Sequence, residues 1–164
     1  MFLCKSNEYP CCPYCGKPLK PYDRRLRIYI LYEREIKHII IRRLYCKGCN
    51  SMHNELPDVL VPHKHYASEV IEEVLDNKAL SLGLAEEDYP CDVTKERWNS
   101  WFKSNMAQIE GILRSVLFSI SENIKIFERT DSLLLRIRKE KERWLSYCVK
   151  GVYSSGHSLL FNST

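Results

Sequence analysis

Three features of the sequence predict an α+β fold, with a small β unit first and an α-helical unit after it. Cysteines occur as two C-x2-C pairs, Cys12/Cys15 and Cys46/Cys49. Between the pairs lie two runs rich in β-branched and aromatic residues, Arg25 to Glu33 and Lys37 to Cys46. After Pro62 the apolar spacing changes from strand-like to helical. The expected organisation is a basic, cysteine-bearing unit at residues 1–65, a helical unit at 66–153 and a polar tail at 154–164.

Composition supports a globular chain and narrows its chemistry. Of 164 residues, 45% are apolar and 28% charged, which separates it from disordered sequences. Residues 1–65 carry 12 Lys/Arg against 6 Asp/Glu, a net of +6, whereas residues 66–164 carry 13 against 15, a net of −2. The net charge of +4 is too modest by itself to establish a nucleic-acid partner, but its distribution makes the N-terminal half the basic one. No run approaches 18 apolar residues, and Met1-Phe2-Leu3-Cys4-Lys5 lacks the apolar core of a signal peptide. A cytoplasmic protein without a membrane partner is expected. In that reducing compartment, eight cysteines point to metal binding rather than to disulfides. The strand series of a transposase or nuclease core is missing.

The two β-rich runs read as a hairpin turning at Arg34-Glu35-Ile36, without an Asn-Gly or Asp-Gly turn to set its register. Pro57 and Pro62 mark the exit. Ala67, Val70, Ile71, Val74 and Leu75 predict a helix over 66–77. Leu80, Leu82 and Leu84 suggest a short helix around Gly83, and Glu86 to Pro90 a loop. Asp92, with Thr94 as rival, is the expected N-cap of the next helix. Its stripe of Trp98, Trp101, Phe102, Ile109, Ile112, Leu113, Val116, Leu117 and Ile120 is long for one helix, so a break is expected near Ser104-Asn105. A last helix is expected from Asp131 or Ser132 to about Lys150, ended by Gly151. Trp98, Trp101, Phe102, Leu113, Leu117, Leu134 and Trp144 form the expected core, with Cys91 and Cys148 as small core residues.

The C-x2-C pairs carry the chemistry. Two thiolates separated by two residues can bind one ion from a tight turn, with backbone N–H groups aimed at the sulfurs and Gly16 or Gly48 relieving the backbone. Cys12, Cys15, Cys46 and Cys49 are the expected ligands of one structural Zn2+, closed to substrate. A β-hairpin between the pairs brings the second beside the first, as in a zinc ribbon. Cys11 is a competitor for Cys12, Cys4 a weaker substitute, and His53 a ligand should one thiol be spared. His53-Asn54-Glu55 matches the H-x-E of zinc nucleobase deaminases, but Pro90-Cys91 is followed by Asp92-Val93-Thr94 with no second cysteine. The expectation is therefore a non-enzymatic protein.

Arg24, Arg25, Arg27, Arg42, Arg43 and Lys47 cluster on the hairpin and second knuckle. Strand alternation places Arg25 and Arg27 on the face opposite Leu26 and Ile28. Such a face can track phosphates, and Tyr29, Tyr32 and Tyr45 offer surface for base stacking. Lys95 and Arg97 open the long helix after an earlier one, an order similar to a helix-turn-helix in which the later helix enters the major groove. DNA is thus the expected partner. A protein partner without nucleic acid is the alternative.

The segments Cys12-Pro13-Tyr14-Cys15-Gly16, Ile41 to Cys49, and His53-Asn54-Glu55-Leu56-Pro57-Asp58 through Tyr66 resemble a bacterial zinc-ribbon domain family of unassigned function. Such domains occur in small proteins and at transposase N-termini associated with mobile elements. Asp88 to Trp98, Gln108-Ile109-Glu110-Gly111 and Tyr153 to Gly156 are similar to a subgroup of the small proteins. The resemblance implies a DNA-binding accessory or regulatory protein near transposons, by analogy with the family.

Overall fold

The structure, a computed structural model, describes residues 2–3, 9–78, 90–120 and 132–159. In chain order it holds strands β1 (Phe2–Leu3), β2 (Lys20–Ile30), β3 (Ile36–Cys46) and β4 (Ser51–Asn54), then helices α1 (Ser68–Leu75), α2 (Asp92–Ile120), α3 (Leu133–Glu140) and α4 (Trp144–Ser154). The layout is α+β.

The hairpin forms where the β-branched runs predict it, with different ends. Ile30 pairs with Ile36 and Lys20 with Tyr45, so β2 begins five residues before the expected run. The turn sits at 31–35, a single 3-10 turn over Tyr32–Arg34 in which Glu33 and Arg34 take positive φ. The register shifts between Pro21 and Asp23, a bulge that helps accommodate a proline on this outer strand. β3 is central: β2 lies on one side, β4 and the short parallel β1 on the other. Arg25 and Arg27 stand opposite Ile41 and Ile39, which with Leu60 make a three-residue buried cluster. The opposite face carries Leu26, Ile28 and Ile36, all exposed.

The helices share one core, and the ribbon leans on it. Val61 and Ala67 belong to that core, and Tyr29, Leu31, Tyr32, Val59 and Tyr66 pack against it. Helix α1 buries Val70, Ile71, Val74 and Leu75, the spacing read from the sequence. The short helix expected around Gly83 lies outside the described residues. The Cys91 carbonyl accepts the Thr94 and Lys95 N–H groups, so Asp92 is the first helical residue rather than the cap.

Helix α2 runs unbroken through Ser104-Asn105. Ser104 Oγ donates to the Ser100 carbonyl and Asn105 Nδ2 to that of Trp101. Each polar side chain bonds the carbonyl one turn back, sharing that acceptor with the ladder N–H through its second lone pair, and the helix continues. Asn105 is buried, which this bond makes tolerable.

The single last helix expected from the sequence is two. Arg143 adopts a left-handed conformation (φ 55°) between α3 and α4. Glutamates from earlier helices cap both new N-termini. Glu110 accepts the Leu133 and Leu134 N–H groups at 2.8 and 2.7 Å, and Glu72 accepts that of Leu145 at 2.8 Å. Carboxylates favour helix N-termini, and these satisfy donors no intrahelical partner could. Gly151 lies inside α4, where a Cβ would come 2.9 Å from Leu113 Cδ2. It permits close packing instead of ending the helix. The stop is Gly156 at φ +80°: Gly156 N–H donates to the Tyr153 carbonyl and His157 N–H to that of Val152, a Schellman motif.

Trp98, Trp101, Phe102, Leu113, Leu134 and Trp144 are buried together, while Leu117 is only half-buried. Cys148 is a core residue whose thiol burial pushes up to about 12. Cys91 is exposed beside the start of α2, contrary to its expected burial. Within the expected tail, Leu159 is buried and the Ser158 carbonyl accepts Gln108 Nε2 at 3.0 Å.

Asp76, at the end of α1, ties three elements. It accepts Arg138 Nε at 2.6 Å, Trp144 Nε1 at 3.1 Å and Lys78 Nζ at 3.2 Å. Burial raises its pKa, but the Arg138, Trp144 and Lys78 bonds outweigh that and hold the carboxyl below its ordinary value. A depressed folded pKa adds stability above the unfolded value near 4, lost as pH falls through the folded one. Asp76→Asn is predicted to cost about 3 kcal/mol, because Arg138 loses its charge partner. Urea unfolding below about pH 4 should show the wild type losing this increment and the variant a flatter acid limb.

Candidate metal centre

Two turns build the site. In the first, Gly16 N–H donates to the Cys12 carbonyl and Cys12 N–H to the Lys17 carbonyl, both at 2.8 Å, with Gly16 at φ 68°. The second spans Cys46 to Asn50, between β3 and β4. There the positive φ falls on Asn50 (55°), not on Gly48. Gly48 answers a different need: a Cβ would sit 2.5 Å from Lys17 Cδ and 3.1 Å from Cys15 Sγ. Its bare Cα lets the two turns approach.

The approach brings four sulfurs together. Cys12 Sγ is 3.5 Å from Cys49 Sγ, and Cys15 Sγ is 3.5 Å from Cys46 Sγ and 4.0 Å from Cys49 Sγ. All four lie within 4.8 Å of one another. These separations exceed a disulfide bond of about 2.05 Å. They match the roughly 3.8 Å edge of a tetrahedron of sulfurs, each ~2.3 Å from a central ion. Cys12 and Cys46 are buried, Cys15 and Cys49 exposed. The cluster could hold a metal ion, and four protein donors would leave no open position for substrate.

Thiol acidity is uneven. The Cys49 N–H, with the Cys15 and Cys49 thiols and the Gly48 N–H, lowers Cys46 to about 6 against the opposing effect of burial. Cys15 receives the Lys17 N–H, yet the neighbouring Cys46 thiol, burial and the other two thiols raise it to about 11. An ion in the cluster needs deprotonated ligands, and the Cys49 and Gly48 N–H groups favour the thiolate form of Cys46.

Cys11 is exposed and bridged through its backbone to Pro18, away from the sulfurs. Cys4 lies outside the described residues. His53 is near but outside the ligand set: its Nε2 is 3.5 Å from Cys12 Sγ and 2.9 Å from Ser51 Oγ, which is itself 2.9 Å from Cys49 Sγ. Ser51 was missed from sequence. Strand alternation was the available signal, since positions 51 and 53 share one face of β4.

The basic residues separate into two groups. Arg42 bonds Glu55 through Nε and Nη2, both at 2.6 Å, so this pair closes the sheet and occupies the glutamate of the deaminase-like triplet. Arg43 makes a two-point contact with Asp23 that raises its pKa and lowers that of the aspartate. Lys95 pairs with Asp92 at 3.0 Å. Arg25, Arg27 and Lys47 make no salt bridge among the described residues, nor does Arg97, which lies on α2 beside the buried Trp98. The structure brings the four cysteines to one point. Lys95 and Arg97 stay on α2, and the turn that would join α1 to α2 lies outside the described residues.

A family model described as a domain of unknown function, DUF6431, matches residues 12–98, more than half of the chain. The chain belongs to that family. The DUF6431 stretch begins at the first cysteine of the cluster and ends at Trp98, so it spans both knuckles, the hairpin, α1 and the start of α2. Its description names no activity, and the match carries neither DNA binding nor a link to transposases. No curated protein and no solved structure matches the chain.

Protein purified without chelator is predicted to carry one zinc per chain. Cys46→Ser should abolish it and melt the strands while most of the helical circular dichroism survives, because metal binding and local folding are coupled. Elemental analysis beside far-ultraviolet spectra checks this, and a metal-free chain with an ordered ribbon would count against it.

Proposed function

We propose that the chain is a non-enzymatic, zinc-binding protein whose ribbon holds a nucleic-acid backbone, DNA being the expected partner. Zinc suits a closed site of four thiolates with no vacant position. The observation that carries the reading is the outer strand. Along β2, Lys20, Arg24, Arg25 and Arg27 make no salt bridge among the described residues, and Lys47 stands exposed at the second knuckle. Arg25 and Arg27, two residues apart, are spaced at about 7 Å, so each can reach its own phosphate. Arg42 and Arg43 are spent on carboxylates, which narrows the contact set from the sequence. An accessory or regulatory role, including one near mobile elements, follows from the resemblance and rests on that alone.

A second reading has its own observation. Leu26, Ile28 and Ile36 leave an exposed apolar strip on the other face of the same hairpin, as a protein-docking module would.

Fluorescence anisotropy on duplex and single-stranded DNA tests the choice. With four or five phosphate contacts, log affinity should fall against log salt with a slope of about −4. Arg25→Gln with Arg27→Gln should weaken binding equally on all sequences and flatten the slope by about 2, one unit per lost contact. Lys95→Ala with Arg97→Ala should relax sequence preference only where α2 enters a groove. Absence of binding at about 50 mM salt, where even non-specific contacts persist, would transfer support to protein docking.

A further inference from the structure

We propose that Ser51 and His53 form a donor layer behind the metal centre, in which His53 Nε2–H bonds Cys12 Sγ and Ser51 Oγ while Ser51 O–H bonds Cys49 Sγ. The inference rests on the metal reading above and assigns these two residues the task of holding and quieting its thiolates.

Chemistry sets the direction of the chain of bonds. A metal-bound thiolate accepts hydrogen bonds and donates none. At 2.9 Å from Cys49 Sγ, the Ser51 hydroxyl must then donate to the sulfur. Having spent its proton, Ser51 Oγ can only accept at its 2.9 Å contact with His53 Nε2. Nε2 therefore carries hydrogen. The same N–H faces Cys12 Sγ at 3.5 Å, within the range of a sulfur acceptor, and is shared between the two. Tyr14, with its ring centroid 5.5 Å from that of His53, packs beside the imidazole.

The layer completes a pattern. Backbone N–H groups reach Cys15 from Lys17, and Cys46 from Cys49 and Gly48. His53 and Ser51 reach the other two sulfurs of the cluster, those of Cys12 and Cys49. Each of the four thus has a donor. Four thiolates around a divalent ion leave a net charge of −2, and hydrogen bonds spread it. Outer-shell partners of this kind orient ligands and tune the metal. They also lower thiolate nucleophilicity, which matters for Cys49, an exposed sulfur.

The full-length, zinc-loaded chain tests this with three variants. Ser51→Ala and His53→Ala should each weaken zinc retention against a competing chelator by about 10–100-fold. Both should also speed zinc release on treatment with N-ethylmaleimide. His53→Gln retains an N–H donor and should recover most of the loss. Nitrogen-15 spectra of the wild type need no variant and should show Nε2 protonated in the loaded form. A wild type that binds no zinc would refute the metal reading itself, before any variant is made. A wild type that binds zinc, with Ser51→Ala and His53→Ala indistinguishable from it or with Nε2 unprotonated, would overturn the donor layer alone.

Discussion

Among the described residues the ribbon half has little apolar interior of its own. Its separate buried cluster is Ile39, Ile41 and Leu60, and side chains at the hairpin's far end pack onto the helical core. At the near end the buried side chains among the described residues are Leu44, Cys12 and Cys46. The two turns carrying Cys12/Cys15 and Cys46/Cys49 meet through a bare glycine, and burial alone offers them little to replace a bound ion. Everything the hairpin presents outward, including the arginines of β2, depends on those turns staying together. A metal ion bridging the four thiolates would couple their geometry to folding in a way that three aliphatic side chains cannot.

The helical half meets a different constraint, the pairing of buried helix ends. Both α3 and α4 start inside the packed structure, and Glu110 and Glu72 reach across from α2 and α1 to cap them. These contacts fix the bend between α3 and α4 where hydrophobic spacing alone would allow one helix. The end of α4 has a related role. Gly156 brings its Cα so near the first knuckle that a Cβ would lie 2.6 Å from the Pro13 carbonyl. The Schellman stop is therefore also the place where the helical half touches the cysteine turn. Order in one half bears on order in the other through that contact and through Tyr29, Leu31 and Tyr32.

What the sequence revealed follows from which forces are local. The C-x2-C spacing encodes a turn and needs no tertiary knowledge, so the cluster could be read directly. The hairpin and α1 announced themselves by period. The unbroken α2 did not, because Ser104 and Asn105 resemble breakers until their bonds to carbonyls one turn earlier are seen. The split between α3 and α4 was hidden because its cause, Glu72, lies on another helix. Gly151 looked like a stop because close approach and chain reversal both select glycine, and only packing against Leu113 tells them apart. Ser51 escaped notice because a hydroxyl two residues from a cysteine has no meaning until β4 aligns it with His53.

Charge was the least transferable inference, for a physical reason. Counting Lys and Arg in residues 1–65 treats each as available, whereas a bidentate partner removes one from any external ligand. Arg42 and Arg43 are adjacent in sequence and point to opposite faces of β3, yet each meets a carboxylate, Glu55 and Asp23. Their work is to fasten β3 to the segment after β4 and to β2. The charge left for a partner is concentrated on β2, whose outer edge is unpaired along most of its length among the described residues. That strand also divides its two faces unusually: Arg25 and Arg27 lie on the side of Ile39 and Ile41, while Leu26 and Ile28 face solvent beside Arg24. Nucleic acid would use the edge and the arginine face, and a protein partner the apolar one. The two uses are therefore separable on a single strand, and substitutions at Arg25 and Leu26, neighbours in the chain, act on different faces of the sheet.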